Sequence, residues 1–240
     1  MTRRRWIADR VEGDRAYLLE QNANHLFRVL RVKAGQEFEV VAGGVLRLGT
    51  VAFASERKVE FHLGPAIESA TLPEVTVFLS IFKFDRLEWA LEKLTELGAA
   101  RIVPIIAQRS GHHLIKAVPS RLTRWRKIVH EAAQQARRIA PPEIAEAAPL
   151  KAVISAAQCS GIVLSESEDR VSLKAVLSKT KPPVSLAFGP EGGWTADEIH
   201  LFQTTQWRSA SLGHTILRAE TAAISGVAVA MACLHPEHSH

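Results

Sequence analysis

The sequence predicts an α/β protein in which a small β-barrel precedes a larger, mostly parallel sheet covered by helices. Residues 1–70 alternate apolar and polar side chains at the period of half-buried strands, as residues 59–63 do. From Val75 onward, apolar runs typical of strands covered on both faces alternate with segments of helical spacing. Residues 65–73, which begin and end with proline, separate the two patterns as a linker. The predicted domains are therefore residues 1–70 and 73–240.

The first domain is predicted to be a barrel because short strands follow one another with turn signals between them. Residues 37–41 and 45–53 flank Gly43 and Gly44, a dipeptide that favours a two-residue hairpin turn. Basic residues, among them Arg31, give this barrel basic edges, although its acids nearly balance their charge.

The second domain is predicted from strands and helices that alternate along the chain. It starts with a strand at 75–81 and a helix in which Leu87, Leu91 and Leu94 share one face, with Gly98 at the carboxyl-terminal cap. The later elements are a strand at 102–106, a helix beginning near Ser120, a strand at 162–164, a helix at 173–177, a strand at 184–188 and a buried apolar helix at 221–234. Parallel strands bring their carboxyl ends to one edge of the sheet, where ligands bind.

Two glycine-bearing loops, about twenty residues apart, form the candidate ligand site. The first glycine loop (residues 189–194) follows strand 184–188, and the second glycine loop (residues 212–220) follows another short apolar run. Glycine lets the backbone turn sharply and lets a flat ligand approach without meeting a Cβ. Thr195 and Glu198 have the spacing of a helix-capping box directly after the first loop. Ordinary connections between strands and helices are the alternative, which the occurrence of two such loops weakens.

The distribution of charge favours an anionic partner. The net charge is +5, and residues 101–138 contain nine basic residues and one acidic residue, an excess of +8. Such a segment is typical of a phosphate-binding surface, and a solvated helix face is the alternative interpretation.

Several common kinds of site are absent from the sequence. There is no dinucleotide-binding Gly-x-Gly-x-x-Gly after the first strand, no Gly-Lys-Ser/Thr and no Gly-x-Ser-x-Gly. Cys159 and Cys233 lie far apart, so neither a disulfide framework nor a metal site is predicted. No stretch is long and apolar enough to span a membrane, and the start lacks the apolar core of a signal peptide, so we predict a cytoplasmic protein.

The glycine loops supply the most specific motifs of the chain, Gly189-Pro190-Glu191-Gly192-Gly193, Leu212-Gly213, Ile216-Leu217-Arg218 and Glu220-Thr221-Ala222. Upstream blocks contribute Lys83, Arg86, Lys93, Glu96-Leu97-Gly98, Arg109-Ser110, Trp125, Glu131-Ala132 and Arg138. With these motifs the sequence resembles, over nearly its whole length, the RsmE-type methyltransferases of bacterial 16S ribosomal RNA, members of the SPOUT superfamily.

The resemblance implies a PUA-like barrel joined to a methyltransferase domain whose carboxyl-terminal segments form a trefoil knot. It implies methylation of the N3 atom of a specific uridine in 16S rRNA, with S-adenosylmethionine as methyl donor and the assembled small ribosomal subunit as substrate. It also implies a homodimer formed through the knotted domain. Thr215 stands where the family usually has Arg, Ala219 where Thr is common and Ala136 where Ser is frequent. We therefore assign no catalytic role to position 215.

The donor carries an adenine ring and a charged sulfonium, and an apolar slot with backbone donors and acceptors suits both. The residues expected to form this slot are Leu164, Phe188, Gly189, Pro190, Glu191, Gly193, Leu212, Gly213, Ile216, Leu217 and Thr221.

The acceptor chemistry predicts which charged residues act. Uracil N3 carries a proton, so the ring must become anionic, and a cation beside a carbonyl oxygen stabilises that charge. Arg218 is the first candidate for this cation and Arg138 the second. Glu220 is the candidate proton acceptor, and capping of the final helix is its alternative role. The expected RNA contacts are Arg31, Arg109, Arg124 and Arg138.

Two other functions stay open at this point. One is a non-catalytic RNA-binding assembly factor that keeps the fold as a scaffold, although such a protein need not retain Arg218, Glu220 and both glycine loops. The other is a related methyltransferase that acts on a ribose 2′-hydroxyl or on tRNA.

Overall fold

The structure, a computed structural model, describes residues 4–156 and 160–235 and divides them into two compact units. The first unit contains the described residues up to Thr71 together with Ala133–Pro141, and the second contains Leu72–Ala132 and the described residues from Pro142 onward. Segment Ala133–Pro141 was expected in the second domain. It belongs to the first unit because Arg5 N–H donates to the Gln134 carbonyl at 3.2 Å and Arg137 pairs with Glu39. Cys159 lies outside the described residues.

The first unit is built on one six-stranded sheet that forms a half-barrel. Its elements are β1 (Trp6–Ile7), β2 (Arg10–Glu12), β3 (Arg15–Leu19), helix α1 (Glu20–Asn24), a π-helical turn (His25–Val29), β4 (Glu37–Ala42), β5 (Val45–Ala54) and β6 (Lys58–Ala66). The strand order is β1-β4-β5-β6-β3-β2, and the neighbouring pairs are antiparallel except β1 with β4.

The predicted hairpin between β4 and β5 is confirmed. Ala42 pairs with Val45, so the turn has two residues, and Gly43 and Gly44 adopt φ angles of 58° and 79°. Positive φ at both central residues is the requirement of a type I′ turn, which glycine meets without steric cost. Trp6 and Phe61 are fully buried beneath the sheet in the core of this unit.

The second unit is a parallel sheet with helices on both faces. Its elements are β7 (Val75–Ser80), α2 (Phe84–Leu97), β8 (Arg101–Ile106), α3 (His112–Gln135, which continues into the first unit), β9 (Glu143–Ile144), β10 (Ala148–Pro149), α4 (Leu150–Ala156), β11 (Ser160–Leu164), α5 (Leu173–Leu177), β12 (Val184–Phe188), α6 (Ala196–Thr204), β13 (Arg208–Ala210) and α7 (Ala219–Leu234). The strand order is β10-β8-β7-β12-β11-β13, with β9 beside β8, and every pair is parallel.

Alternate residues of the central strands face two separate apolar layers. Val77 and Leu79 pack in the layer that contains α2, α5 and α7, whereas Phe78 packs in the layer that contains α4 and α6. This alternation follows from the two-residue period of a strand, and burial of both faces explains the continuous apolar runs in the sequence. The predicted fold class, a PUA-like half-barrel before a parallel α/β sheet, is confirmed. The trefoil knot stays a prediction.

The structure corrects one helix boundary. A start near Ser120 was expected, but α3 begins at His112 and contains Pro119. Proline lacks the N–H that an interior helical position donates, which is why the sequence favoured a start after it. Strands of two residues, such as β9 and β10, were not predicted because so short a stretch shows no periodicity. Among the described residues no helix is both long and apolar enough to cross a membrane.

Candidate active site

A cavity of about 420 Å³ lies in the second unit, beyond the carboxyl ends of β11, β12 and β13. Leu164 ends β11, Gly189 follows β12 and Ser211 follows β13, and all three residues line it. The carboxyl edge of a parallel sheet is where ligands bind in this class of fold. The volume falls in the range of about 300–1,000 Å³ that small-molecule sites occupy.

The first glycine loop is held in a tight turn at one wall of the cavity. The N–H of Gly193 donates to the Pro190 carbonyl at 2.8 Å, and Gly193 has a φ of 69°. A Cβ on Gly193 would lie 2.9 Å from Glu166 Oε1, so a side chain there would be strained and would collide with a cavity residue. Trp194 Nε1 donates to the Leu164 carbonyl at 2.9 Å, which ties the loop to the end of β11.

A buried carboxylate anchors this loop from behind. Glu198 accepts from the N–H of Thr195 at 2.8 Å while Thr195 Oγ1 accepts from the N–H of Glu198, so the predicted capping box is confirmed. The other oxygen of Glu198 accepts from the N–H of Gln108 at 2.8 Å. Glu198 is only 4% exposed, and these hydrogen bonds satisfy a charge that would otherwise be costly to bury. One side chain thus fixes α6 to the chain that follows β8.

The second glycine loop forms the opposite wall and leads into α7. Its entry is fixed because Ser211 N–H donates to the Val171 carbonyl and Leu173 N–H donates to the Ser211 carbonyl, both at 2.9 Å. Gly213 has a φ of 126° and marks the turn. Ile216 lines the cavity with 84% of its surface exposed, which is unusual for a large apolar residue. Arg218 is the residue that precedes α7, and its carbonyl accepts from Ala222 N–H at 2.8 Å.

Among the residues that the structure describes, four charged side chains line the cavity, two of each sign: Arg86, Glu166, Glu191 and Arg218. Arg86 Nη1 donates to Glu191 Oε1 at 3.1 Å, and Arg86 Nε lies 3.7 Å from Glu220 Oε1. Arg218 is exposed, and no ion pair or hydrogen bond engages its side chain in the described part of the chain. The cavity therefore offers the Glu166 carboxylate to a cationic ligand and one exposed guanidinium to an anionic group, whereas Glu191 is paired with Arg86.

Comparisons with known proteins agree on one family. A model of the RNA methyltransferase domain matches residues 69–231, and a model of the RNA methyltransferase PUA domain matches residues 18–63. The ribosomal RNA small subunit methyltransferase E of Aquifex aeolicus is 29% identical over 228 residues, 94% of this chain and 98% of that protein. Its counterpart in Synechocystis is 34% identical over 211 residues, 83% of this chain and 67% of that protein.

The chain belongs to the ribosomal RNA small subunit methyltransferase E family. The predicted family is therefore confirmed. A crystal structure of the Neisseria gonorrhoeae member, bound to S-adenosyl methionine, matches with a TM-score of 0.84 over 97% of this chain and 98% of that one. At 22% identity this likeness shows that the fold is shared.

Most of the predicted donor residues of this methyltransferase converge on the cavity. Nine of the eleven line it: Leu164, Gly189, Pro190, Glu191, Gly193, Leu212, Gly213, Ile216 and Leu217. Phe188 does not, because the last side chain of β12 points into the helical layer, where it is 1% exposed and packs against Gly226. Thr221 lies on α7 and is not among the lining residues.

The predicted catalytic residues are placed in three different settings. Arg218 lines the cavity, whereas Glu220 does not and is 5% exposed in the first turn of α7. Arg138 belongs to the first unit, where burial lowers the pKa of its guanidinium. The catalytic role of each of the three stays a prediction.

The predicted RNA contacts are partly engaged within the protein. Arg109 Nη1 donates to the carbonyls of Gly192 (2.5 Å) and Trp194 (3.4 Å), so it braces the first glycine loop. Arg124 Nε lies 2.9 Å from both oxygens of Glu88. Arg31 is exposed in the first unit with a φ of 50°. The positive excess of 101–138 is also reduced by acids distant in sequence, because Arg101 pairs with Glu143 at 3.3 Å.

Other lining residues were not predicted from the sequence, chiefly Arg86, Ser165, Glu166, Ser167 and Trp194. Residues 165–167 directly follow β11, and Arg86 lies just after β7, the neighbour of β12. The rule that ligands bind at the carboxyl ends of parallel strands would have found them, had it been applied to every strand.

Proposed function

We propose that this protein transfers a methyl group from S-adenosylmethionine to the N3 atom of a specific uridine in 16S rRNA, with the small ribosomal subunit as its substrate. The observation that carries the proposal is the cavity between the two glycine loops, with the exposed Arg218 on its rim, in a chain of the ribosomal RNA small subunit methyltransferase E family. The cytoplasm, where such a substrate is found, is the proposed site of action.

The cavity suits the donor in shape and charge. Leu164, Leu212 and Leu217 provide apolar walls, and the glycine loops leave backbone N–H and C=O groups accessible. Glu166 offers negative charge to a cationic ligand. Bound S-adenosylmethionine supplies an electrophilic methyl group on a sulfonium. Both glycine loops contribute to this site because each forms one of its walls.

The chain must then stabilise charge on the acceptor. Methylation at N3 requires the uracil ring to lose a proton and carry negative charge on its carbonyl oxygens. Arg218 is the residue proposed to stabilise it, because its guanidinium has no competing partner in the described structure and lies on the cavity rim. Holding the ring nitrogen in line with the methyl group supplies much of the remaining acceleration.

The proton released from uracil N3 needs an acceptor. Glu220 is the proposed acceptor, with Arg138 as the second cation, but Glu220 is buried and paired with Arg86. A general base must reach the proton it removes, directly or through one water. Solvent water at the rim is the alternative acceptor, and a Glu220→Gln variant that retains turnover would favour it.

RNA is proposed to contact Arg31, Arg109, Arg124 and Arg138. Arg109 braces the first glycine loop while remaining exposed, so a phosphate on its outer face would lie beside the donor cavity. To bind a phosphate, Arg124 must give up its contact with Glu88. The net free energy gained from the phosphate contact is therefore smaller.

A homodimer through the second unit is proposed from α7. After Glu220 this helix has no charged residue up to Leu234, yet Ile224, Ala228 and Val229 are only half-buried and Ala232 is exposed. A helix that is apolar all round is normally buried on every side. A second copy of the chain packed on this face would complete that burial.

The deciding experiment measures transfer of labelled methyl from S-adenosylmethionine to small ribosomal subunits and to naked 16S rRNA from cells lacking this protein, followed by nucleoside analysis. We expect label in 3-methyluridine, mainly on subunits. Label in a 2′-O-methylated nucleoside or in tRNA would move the protein to another methyltransferase class. Donor binding without transfer to any RNA would refute the substrate, and no donor binding would favour a non-catalytic RNA-binding scaffold.

A further inference from the structure

Arg86 connects the two glycine loops. Its Nη1 donates to Glu191 Oε1 at 3.1 Å, and its Nε lies 3.7 Å from Glu220 Oε1. Glu191 belongs to the first glycine loop and Glu220 to the second, in the first turn of α7. Arg86 comes from a third element, the first turn of α2, and itself lines the cavity. One guanidinium therefore contacts both structures that bound the cavity.

The two carboxylates that Arg86 contacts differ in burial. The Glu220 side chain is 6% exposed, whereas that of Glu191 is 39% exposed. A carboxylate so deeply buried is costly without a cation, and no hydrogen bond reaches Glu220 Oε2 within the described ranges. Loss of the Arg86–Glu220 pair would therefore leave an uncompensated buried carboxylate, whereas the Arg86–Glu191 hydrogen bond is solvated and contributes little by itself.

We infer that Arg86 is a positioning residue for the donor cavity. By binding Glu191 and Glu220 together it sets the separation of the two glycine loops, and hence the width of the slot between them. This inference rests on the proposed function, because donor affinity is the property that the bridge controls. Arg86 acts through the loops, and its guanidinium is already occupied by two carboxylates of the protein.

Arginine suits this task better than lysine. The guanidinium presents separate N–H groups in a rigid plane, so Nη1 and Nε reach different carboxylates at the same time. A lysine ammonium is a single point of charge on a flexible stem, and it would hold one carboxylate at the expense of the other. Arg86→Lys is therefore expected to keep the buried pair and lose the bridge.

The experiment is a double-mutant cycle on binding of S-adenosylmethionine, measured by isothermal titration calorimetry. The proteins are the wild type, Arg86→Gln, Glu220→Gln and the double variant. We expect each single variant to weaken donor affinity about tenfold and the double variant to be no weaker than either, because both single changes break one bridge. Arg86→Gln leaves the buried Glu220 carboxylate without its cation and is therefore less stable, but the double variant removes that charge, so comparison of Glu220→Gln with the double variant tests the bridge even if Arg86→Gln proves too unstable to measure.

Lys93→Gln is the matched control. Lys93 lies on the same helix and also joins two carboxylates, Glu92 at 2.7 Å and Glu96 at 2.8 Å, but it does not line the cavity. Its donor affinity should equal that of the wild type. Arg86→Lys should fall between the wild type and Arg86→Gln.

Three results would overturn the inference, and they are distinguishable. Additive losses in the double variant would mean that Arg86 contacts the donor directly. A lower melting temperature with unchanged donor affinity of the folded protein would mean that Arg86 is merely structural. No donor binding by the wild type would overturn the proposed function itself, and the positioning role with it.

Discussion

Trp194 Nε1 donates a hydrogen bond of 2.9 Å to the main-chain carbonyl of Leu164, and this bond joins the first glycine loop to β11. The indole ring also packs edge-on against Phe202, with ring centroids 5.0 Å apart. Because Leu164 ends β11, the neighbour of β12, this bond fixes one corner of the cavity.

Replacing this tryptophan tests that link. In Trp194→Phe the aromatic packing survives but the Leu164 carbonyl loses its donor, which should cost about 1 kcal/mol in free energy of unfolding. The affinity for S-adenosylmethionine should fall several-fold. Trp207→Phe is the control, since Trp207 also packs on Phe202, at 5.2 Å, but does not line the cavity. Equal donor affinity in both variants would contradict the role assigned to the hydrogen bond.

Arg218 is expected to act on the reaction and not on donor binding. Arg218→Gln should lower the rate of methyl transfer by about 100-fold or more, because a preorganised cation at the developing charge is lost. Its dissociation constant for S-adenosylmethionine should stay within about threefold of the wild type. Arg170→Gln, at a cation whose side chain is 91% exposed, is the control for loss of charge. If Arg218→Gln lowered donor affinity and the rate of methyl transfer by the same factor, Arg218 would not act specifically on the reaction.

Gly226 should reverse the usual effect of alanine in a helix. Gly→Ala in a helix interior normally stabilises by about 0.5–1 kcal/mol. At Gly226 the new Cβ would lie 2.7 Å from the Phe188 ring, which is 1% exposed and enclosed in the core. We expect Gly226→Ala to lower the free energy of unfolding by about 1–3 kcal/mol in urea denaturation. A stabilised variant would show that α7 can move away from β12.

Glu39 should make the first unit sensitive to acid. Hydrogen bonds from Arg137 and Arg5 lower the pKa of Glu39 from 4.5, although burial opposes them. A lowered folded-state pKa contributes stability that is present above about pH 4.5 and lost as the pH falls through the folded value. Glu39→Gln should therefore be less stable than the wild type by about 1–2 kcal/mol at pH 7.

The same comparison at low pH supplies the control. At a pH below the folded-state pKa of Glu39, the wild-type carboxyl is protonated and the difference between the two proteins should disappear. Urea midpoints of both proteins, measured at pH 7 and at steps of falling pH, would follow this difference. If the two proteins still differed in stability in acid, the lower stability of Glu39→Gln would come from altered packing and not from the charge of Glu39.

Ala228 tests the proposed dimer. Ala228→Glu places a charge on the half-buried apolar face of α7, which costs several kcal/mol if that face is covered by a second copy. We expect the mass measured by light scattering to fall from dimer to monomer, with far-ultraviolet circular dichroism unchanged. Ala232 lies one turn further along α7 and is exposed, so Ala232→Glu tests whether the interface extends to that position. A monomeric wild type would refute the dimer outright.

The fold was predictable where local pattern and tertiary structure agree. Strand β12 and helix α5 have the predicted limits, and Gly98, with a φ of 105°, caps α2 as expected. These elements carry their own signals, since strands buried on both faces are continuously apolar and a left-handed cap favours glycine. The start of α3 was missed because the surrounding fold holds Pro119 inside a helix, against its local preference.

The site was predictable in its loops but not in its bridges. Backbone conformation at Gly193 and Gly213 leaves a mark in the sequence, because few residues tolerate their φ angles. The ion pairs of Arg86 leave no such mark in the sequence. Glu191 lies 105 residues away along the chain, and no periodicity relates two side chains that meet only after the sheet has formed.

The cavity wall draws on residues from Arg86 to Ala222, contributed by β11, by β13, by the loops after β11, β12 and β13, and by helices α2, α6 and α7. A chain in which the last of these strands has not yet joined the sheet has no complete site to offer a ligand. The donor should therefore bind the finished second unit alone and draw the folding equilibrium toward it, by about 2.7 kcal/mol when its concentration is 100 times the dissociation constant. In a cell, a higher concentration of the methyl donor would then increase the folded fraction of this enzyme, so that less of it would be degraded.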